Sequence, residues 1–363
     1  MKNTLFIILL PVSMALFAQN SKNKHIDTVY TFIENGGRVD WCKANNKIVL
    51  DKTNGKTVDV YTICPNGTDS LNLTKDMDSV VVSGELVEKW QHKGHPSWHP
   101  SGKYIVFQVN NRHASNPPKM NEWLILGGNF DLWIMNSDGS NKTKLTNNPA
   151  GYGILHPVFS HDGKKLMWGE KYSSDGDAGN FGSWYIVVGN FVVDENNNFS
   201  IQDTIRIQPF GAIWYEANDF SKDGNGFYFS SNYNTHKKSS AVFYYNFETK
   251  TAKPVEASEK QWNEMLRLNP VNENEYGLIS SRFFKWSPGW GWMGLRTEVF
   301  VNLDGKEKRV TFNNMGEKKK KLSDLHYLAM DYCWSPDGKT LLILQYGFKI
   351  GKFDSKLLMV KLK

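Results

Sequence analysis

One phrase of this sequence returns along the chain and constrains the fold more than any other feature. The stretch HPSWHPSGKYIVF at 95–107 reappears as HPVFSHDGKKLMW at 156–168. Related copies begin near 38, 217, 265 and 331, and each contains a landmark residue, a tight polar turn and an apolar strand. The landmarks are aromatic or apolar: Trp41, Trp98, Phe159, Phe220, Leu268 and Trp334. Self-similarity at a regular interval indicates a repeat architecture, in which each copy is one structural unit.

Each copy predicts four short strands, because apolar runs alternate with turns rich in Asp, Asn and Gly. One four-stranded meander buries little by itself, whereas six arranged around an axis bury both faces of every sheet. We therefore predict an all-β chain folded as a six-bladed β-propeller. Its blades should start near residues 38, 95, 156, 217, 265 and 331. The best helical pattern in the chain, at 258–268, is short.

The two ends of the chain predict how the ring closes. The last unit supplies strands at 331–334, 339–345 and 356–363, one fewer than the four of a complete unit. The segment IDTVYTFIE at 26–34 has the pattern of a strand and precedes the first unit. If this segment takes the vacant fourth position of the last blade, no sheet edge of that blade stays open. We expect one propeller domain over 19–363, closed by its N-terminal strand.

The first eighteen residues predict a signal peptide that is not part of the fold. Lys2 precedes an apolar run over 5–17, and Ala18 offers a small residue at the expected cleavage point. The run is too short to span a membrane and contains Pro11. We therefore expect a periplasmic or secreted protein with no transmembrane anchor in its mature chain. The net charge of +6 is spread along the chain and does not form the broad basic surface that nucleic acid requires.

The three cysteines and some of the histidines predict structural roles. No CxxC spacing occurs, so neither a zinc knuckle nor a thioredoxin-like site is indicated, and buried thiols are expected. A bridge between Cys42 and Cys333 would require the first and last repeats to be neighbours. His99, His113, His161 and His236 fall in turns or loops, where we expect them to be solvated.

Three stretches carry a resemblance to a known repeat family. They are WSPDGK at 334–339, DLWIMNSDGSNKTKLT at 131–146 and PVFSHDGKKL at 157–166. Together they resemble the repeats of TolB-type, WD40-like six-bladed propellers, and the resemblance extends over nearly the whole mature chain. It implies the propeller fold, but that fold carries unrelated functions. Repeats of this type occur in exported scaffold proteins, in prolyl oligopeptidase-type peptidases and in oligogalacturonate lyases.

This sequence differs from each of these three classes of protein, and the differences limit the functions that the resemblance implies. TolB carries an α/β domain before its propeller, whereas the repeats begin here by residue 38, so we expect a propeller without that domain. Prolyl oligopeptidases carry a hydrolase domain, and no GxSxG nucleophile motif occurs in this sequence. Oligogalacturonate lyases hold a metal mainly through histidines, two of them in a Gln-x-x-His-x-His stretch. This sequence contains no such stretch.

The predicted strand order places the long loops on one face of the propeller. The loops between second and third strands are long, at 110–129, 169–184, 230–241 and 280–296. Loops longer than a turn requires often carry function. One of them holds Trp286, Trp290 and Trp292, flanked by Arg282 and Arg296. Exposed indoles suit stacking on a sugar ring and arginine suits a carboxylate, although such rings also pack between blades.

A second candidate site lies where the innermost strands should begin, at the mouth of the central channel. The position three residues before each landmark holds Arg38, His95, His156, Ala217, Met265 and Asp331, and the preceding position adds Glu216 and Glu264. His95 and His156 should therefore come from neighbouring blades. Two imidazoles and a carboxylate suit a divalent metal ion, the cofactor that this pattern suggests. Polar side chains also line propeller channels without binding a metal, so both readings stay open.

Two functions of different classes fit these features. The first is an exported, non-catalytic propeller that binds an envelope protein or a glycan through its loop-rich face and channel mouth. The second is a metal-dependent, lyase-like or hydrolytic enzyme that acts on an acidic saccharide at the same place. The absence of a catalytic signature in the sequence favours the first. In both, His95, His156, Glu216, Glu264 and Asp331 are predicted to contact the ligand.

Overall fold

The computed structural model describes residues 25–55, 57–82, 85–88, 91–111, 127–149, 151–173, 182–211, 213–232, 239–282, 296–311, 326–349 and 352–363. Within these ranges the chain is built from β-strands and contains no α-helix. None of its described helical turns is long and apolar enough to cross a membrane. The first strand is β1 (Ile26–Glu34), and the strands that follow form six antiparallel four-stranded sheets.

The first three sheets follow one another along the chain. Blade 1 contains β2 (Gly36–Trp41), β3 (Ile48–Thr53), β4 (Val58–Ile63) and β5 (Leu71–Asn72). A 3-10 turn at Lys75–Asp78 and a hairpin of β6 (Ser79–Val82) and β7 (Glu85–Glu88) follow. Blade 2 contains β8 (Lys93–Trp98), β9 (Tyr104–Asn110), β10 (Phe130–Asn136) and β11 (Thr143–Lys144). Blade 3 contains β12 (Gly153–Phe159), β13 (Lys165–Ser173), β14 (Ser183–Val193) and β15 (Phe199–Ile207).

The last three sheets repeat this plan. Blade 4 contains β16 (Tyr215–Phe220), β17 (Gly226–Ser231), β18 (Ala241–Asn246) and β19 (Thr251–Glu256). Blade 5 contains β20 (Asn263–Leu268), β21 (Tyr276–Ser280), β22 (Glu298–Leu303) and β23 (Lys306–Arg309). Blade 6 contains β24 (His326–Trp334), β25 (Thr340–Lys349) and β26 (Lys352–Leu362). The short helical pattern at 258–268 does not form a helix, because most of it is β20, an innermost strand buried on both faces.

The N-terminal strand closes the ring as predicted. β1 pairs antiparallel with β26, so that Ile26 lies opposite Leu362 and Glu34 lies opposite Lys356. The order of the last sheet is therefore β1-β26-β25-β24, with β1 outermost. This pairing confirms the six-bladed propeller in which the leading strand completes the last blade.

The apolar core is divided into six clusters, each lying mainly between two neighbouring blades. Val49 of blade 1 packs with Trp98 of blade 2, and Val106 of blade 2 packs with Phe159 of blade 3. The cluster between the last and first blades joins residues of β3 to residues of β25 and β26, so the core is continuous around the axis. Fully burying a large apolar side chain stabilises the fold by roughly 1.5–3 kcal/mol. Each sheet is therefore stabilised by its neighbours.

Hydrogen bonds on the face of the short turns also join neighbouring blades. A side-chain nitrogen near the end of an innermost strand donates to a carbonyl oxygen of the next blade at 2.6–3.2 Å. The donor and acceptor pairs are Asn45 and Gly102, His99 and Gly163, His161 and Phe220, Lys222 and Asn269, and Asn269 and Gly338. The expectation that His99 is solvated is therefore wrong, whereas His161 is exposed as expected and also bonds to the next blade. His99 is half-buried, and both imidazoles bridge two blades. His113 and His236 lie outside the described residues.

The cysteines are free thiols. Cys42 and Cys333 are buried in different inter-blade clusters, and Cys64 is half-buried. Blades 1 and 6 are neighbours, but Cys42 packs toward blade 2 whereas Cys333 packs toward blade 1. The two thiols therefore serve as small apolar side chains at separate interfaces.

Candidate functional site

Every innermost strand carries an irregularity in its pairing close to its start. The register shifts between Gly94 and Ser97 in β8 and between Leu155 and Val158 in β12, and the other four innermost strands have a comparable shift. The backbone is left-handed at three of the bulged positions: His95 at φ 46°, His156 at φ 50° and Met265 at φ 57°. Positive φ is uncommon for residues other than glycine, and a bulge changes the direction of the side chain it carries. The repeated bulge therefore sets the direction of these side chains blade by blade.

The bulges lie on the face of the long loops. Lys93 at the start of β8 pairs with Val109, near the end of β9, and the long loop of blade 2 follows β9. In blade 5 the start of β20 likewise pairs Asn263 with Ser280, after which the chain enters the 280–296 loop. We call this end of the molecule the loop-rich face. We call Arg38, His95, His156, Glu216, Glu264 and Asp331 the ring residues.

Two histidines from neighbouring blades lie side by side. The imidazole rings of His95 and His156 are 4.9 Å apart between centroids, with an interplanar angle of 32°. Nδ1 of His156 lies 2.6 Å from Oε1 of Glu216, so the contact continues into blade 4. Blades 2, 3 and 4 thus contribute a row of two imidazoles and one carboxyl group.

The other side of the ring is built on an arginine–aspartate pair. Nη1 of Arg38 lies 3.4 Å from Oδ2 of Asp331 and donates to the carbonyl oxygen of Met330 at 3.0 Å. Nη2 of Arg267, from β20, lies 3.4 Å from the second carboxylate oxygen of Asp331. Asp331 is therefore held between two guanidinium groups, and its charge is compensated.

Glu264 is the ring residue of blade 5 and lies beside an indole pair. Nε1 of Trp262 donates to Oε2 of Glu264. The ring of Trp262 is 5.3 Å from that of Trp214, which comes from the segment before blade 4. Both indoles precede a ring glutamate by two residues, so Trp-x-Glu occurs in both blades.

Asp51 of β3 holds two of the bulges in place. Its carboxylate accepts the backbone N–H of Arg38 at 3.0 Å and that of His95 at 2.8 Å. Gln108 of β9 plays a related part, since its Nε2 donates to the carbonyl oxygen of Ile154 at 2.6 Å. Side chains of the second strands therefore connect the bulged segments of neighbouring blades.

Burial shifts the pKa values of the ring residues so that the neutral form of each group is favoured. It lowers the pKa of both His95 and His156 well below the usual value, and the charge of Arg38 adds to this effect, so both imidazoles are neutral near pH 7. Burial raises the pKa of Glu216 to about 7. It raises the pKa of Glu264 to about 8, and the negative charge of Glu216 adds to the shift. Low-dielectric surroundings disfavour the charged form of every one of these groups.

Several polar atoms of this buried ring have no hydrogen-bond partner among the described residues. They include Nε2 of His156, Oε2 of Glu216 and Nε of Arg38. The three side chains that carry these atoms are 4–5% exposed. A buried polar group without a partner costs about 1–3 kcal/mol, so such groups in a native protein usually bind water, an ion or a ligand. The unpaired atoms therefore identify the ring as the candidate binding site.

The ring as arranged does not fit the divalent metal suggested by the sequence. Among the described residues, no group of three or more His, Cys, Asp or Glu side chains is arranged to hold a metal ion. The positive charge of Arg38, which acts on His95 and His156, would also oppose a metal cation at the imidazoles. We therefore derive no chemistry from a metal at this site.

The predicted loop residues lie apart from the ring or outside the described structure. Trp286, Trp290 and Trp292 fall within 283–295, which the structure does not describe. Arg282 forms ion pairs with Glu256 and Glu307 on the outermost strands of blades 4 and 5, and its guanidinium lies 4.8 Å from the ring centre of Phe300. Arg296 is half-buried before β22. Arg282 therefore contributes to the joint between two blades and is not among the ring contacts.

Three further residues contribute to the site without having been predicted. Arg267 precedes a landmark by one position, so the repeat could have indicated it, whereas Asp51 lies in a second strand with no repeat signal. Trp262 could have been found from the recurrence of Trp-x-Glu. The sequence pattern indicates a site at the positions three and four before each landmark, and these three residues lie at other positions.

Comparisons with known proteins identify the fold and leave the family open. No family model and no curated protein sequence matches this chain. Among solved structures, TolB from Acinetobacter baumannii is similar with a TM-score of 0.50 and 14% identity over 91% of this chain. This chain spans 64% of that TolB chain. An oligogalacturonate lyase in complex with manganese is similar with a TM-score of 0.52 and 10% identity over 93% of both chains. These likenesses show a TolB-like propeller fold.

Proposed function

We propose that this chain is an exported, non-catalytic propeller that binds a glycan or a segment of an envelope protein at the mouth of its channel. The observation that carries the proposal is the ring of buried, unpaired polar atoms on the loop-rich face. The ring offers both donors and acceptors, because it combines neutral imidazoles, guanidinium groups and carboxyl groups. Ligands rich in hydroxyl or amide groups complement such a mixture.

The long loops support the same proposal. Four of the six blades have a long connection between the second and third strands, and all of these connections leave the face on which the ring lies. Ligand sites commonly combine a few fixed polar groups on strands with surrounding loops. We include Trp290 and Trp292 in the proposed binding surface from their sequence alone, as indoles suited to stacking on a sugar.

The proposal is tested by binding measurements on ring variants. Purified protein is applied to a glycan array and, separately, used to capture proteins from an envelope fraction. We expect the His95→Ala/His156→Ala double variant and the Trp290→Ala/Trp292→Ala double variant to lose capture while retaining a cooperative thermal transition. His161→Ala, which changes a histidine on the opposite face, is the matched control and should retain capture. If the intact protein captures nothing in either assay, the proposal loses its basis.

An enzyme is the second candidate, and one contact favours it. The 2.6 Å approach of His156 to Glu216 resembles a base held by a carboxyl group. If the protein is a lyase or a hydrolase, it should turn over an acidic saccharide. The absorbance of an unsaturated product would detect a lyase, and new reducing ends would detect a hydrolase. Metal analysis accompanies the assay on the intact protein, on His95→Ala and on His156→Ala. Turnover that disappears with His156→Ala would favour the enzyme over the binding protein.

A further inference from the structure

The buried groups around the ring contain more carboxyl groups than cations. Four acidic side chains and two arginines influence one another electrostatically there, in addition to the neutral histidines. They are Asp51, Glu216, Glu264 and Asp331, against Arg38 and Arg267. An isolated buried charge is costly, so an excess of one sign must be neutralised by protons or by a bound counter-charge.

The excess is concentrated on two glutamates. Both arginines lie at Asp331, and Asp51 is engaged by two backbone N–H groups. Within the described ranges, neither Glu216 nor Glu264 has a lysine or arginine at ion-pair distance. Among the described residues, the carboxyl group of Glu216 contacts the neutral imidazole of His156, and that of Glu264 accepts from the indole of Trp262. The two carboxyl groups are close enough for the charge of one to raise the pKa of the other.

An independent observation indicates that this pair can accept a further hydrogen bond. Oε2 of Glu216 and Nε2 of His156 are buried and lack a partner in the described structure, on side chains that are 5% and 4% exposed. A partner that complements the ionised form of Glu216 donates hydrogen bonds and, to offset the acidic excess, should carry positive charge. A primary ammonium group has three N–H donors and one positive charge. Indoles such as Trp262 and Trp214 next to the pair also favour a cation.

We propose that Glu216 and Glu264 together bind a primary ammonium group carried by the ligand of this propeller. This inference rests on the proposed function, because it takes the ligand to occupy the channel mouth. The ammonium donates to the carboxylates of blades 4 and 5, and its remaining donor is available to Nε2 of His156. The rest of the ligand extends toward the loop-rich face.

Binding of the cation is coupled to release of a proton. Burial raises the pKa of Glu216 to about 7 and that of Glu264 to about 8, so the pair retains a proton near neutral pH. The groups that act on the pair are Arg38, Arg267 and Asp331, together with the neutral His95 and His156 beside it. An ammonium ion with a pKa of about 10 keeps its charge over this range and replaces the proton. Its affinity should therefore rise as the pH rises from 6 to 8.5.

The experiment compares two probes of the same length on the full chain. Isothermal titration calorimetry measures binding of 1,5-diaminopentane and of 1,5-pentanediol at pH 6 and pH 8.5. We expect the diamine to bind and the diol not to bind, with the affinity for the diamine at least tenfold higher at pH 8.5. Titrations in buffers with different ionisation enthalpies should show proton release. Glu264→Gln should weaken diamine binding at least tenfold and reduce its pH dependence, leaving the part that comes from Glu216.

Matched variants separate the site from a general charge effect. Glu248→Gln removes an exposed carboxylate at the other end of blade 4 and should leave diamine binding unchanged. If Glu264→Gln does not fold, Glu216→Gln carries the same test. Equal binding of diol and diamine, or equal affinities of Glu264→Gln and the intact protein, would overturn the inference. A protein that captures a glycan or an envelope protein but ignores the diamine refutes this inference alone. The proposed function fails if both kinds of capture are also blank.

Discussion

The closure of the ring by β1 makes a quantitative prediction about one side chain. Ile26 opens β1 and is 2% exposed, packed in the cluster that joins blades 5 and 6. It lies opposite Leu362, the last residue of β26. Replacing Ile26 by alanine removes apolar contacts at the point where the two ends of the described chain meet.

The expected loss follows from the burial of this side chain. Large-to-small replacements of fully buried Ile or Leu cost about 2–5 kcal/mol, depending on how far the surroundings collapse into the space. Ile26 lies near the end of a strand that can relax, so we expect Ile26→Ala to cost about 2–3 kcal/mol, in the lower part of that range. Thr31→Ala, at an exposed position of the same strand, should change the free energy of unfolding by less than about 0.5 kcal/mol.

Urea titration followed by tryptophan fluorescence and by far-ultraviolet circular dichroism measures both values. The two signals should give one common transition for each protein, because closure makes the six blades cooperative. The midpoint of Ile26→Ala should fall while its slope stays unchanged. Deleting residues 26–34 should cost more than Ile26→Ala and should separate the two transitions, since β26 then becomes an open edge. If Ile26→Ala costs no more than Thr31→Ala, or the deletion leaves unfolding equally cooperative, the closure argument is refuted.

Three further outcomes are expected. Burial raises the pKa of Glu264 to about 8 from about 4.5, so this side chain favours the folded state most below pH 4.5 and loses that contribution as the pH rises to 8. The stability of Glu264→Gln relative to the intact protein, measured by urea titration at pH 5 and pH 8.5, should therefore be higher at pH 8.5; equal differences would contradict this. Gly163→Ala should cost roughly 1–3 kcal/mol more than Gly224→Ala. Both glycines have positive φ, but a Cβ at Gly163 would lie 2.4 Å from Nε2 of His99, whereas a Cβ at Gly224 would have no atom within 4 Å. Similar urea midpoints for the two variants would refute this explanation. Lys93 is fully buried in an ion pair with Asp59, so Lys93→Met should cost about 3–5 kcal/mol because the carboxylate of Asp59 stays buried without its counter-charge. A loss below about 1 kcal/mol would exclude that explanation.

The sequence was sufficient to predict the fold. The recurring turn and landmark count the blades, and the strand pattern at 26–34 explains the missing strand of the last unit. The two His-Pro phrases also placed His95 and His156 on neighbouring blades, where their rings are 4.9 Å apart. These features follow from local patterns, because all blades share the same internal geometry. Equivalent positions in successive repeats therefore occupy equivalent places around the propeller axis.

Details of the ring depend on contacts between blades that the repeat does not encode. Asp51 accepts backbone N–H groups of two blades, although nothing in its strand distinguishes it from other polar residues. His99 was predicted to be solvated, yet it bonds to Gly163 of the following blade. The unequal distribution of charge also depends on packing: within the described part of the chain, two arginines lie at Asp331 and none at Glu216. The sequence by itself therefore determined how many blades form and which residues face the axis, since periodicity is local. Only the tertiary structure decided which of those residues are paired and which remain unpaired, because pairing depends on distances across the interfaces between blades.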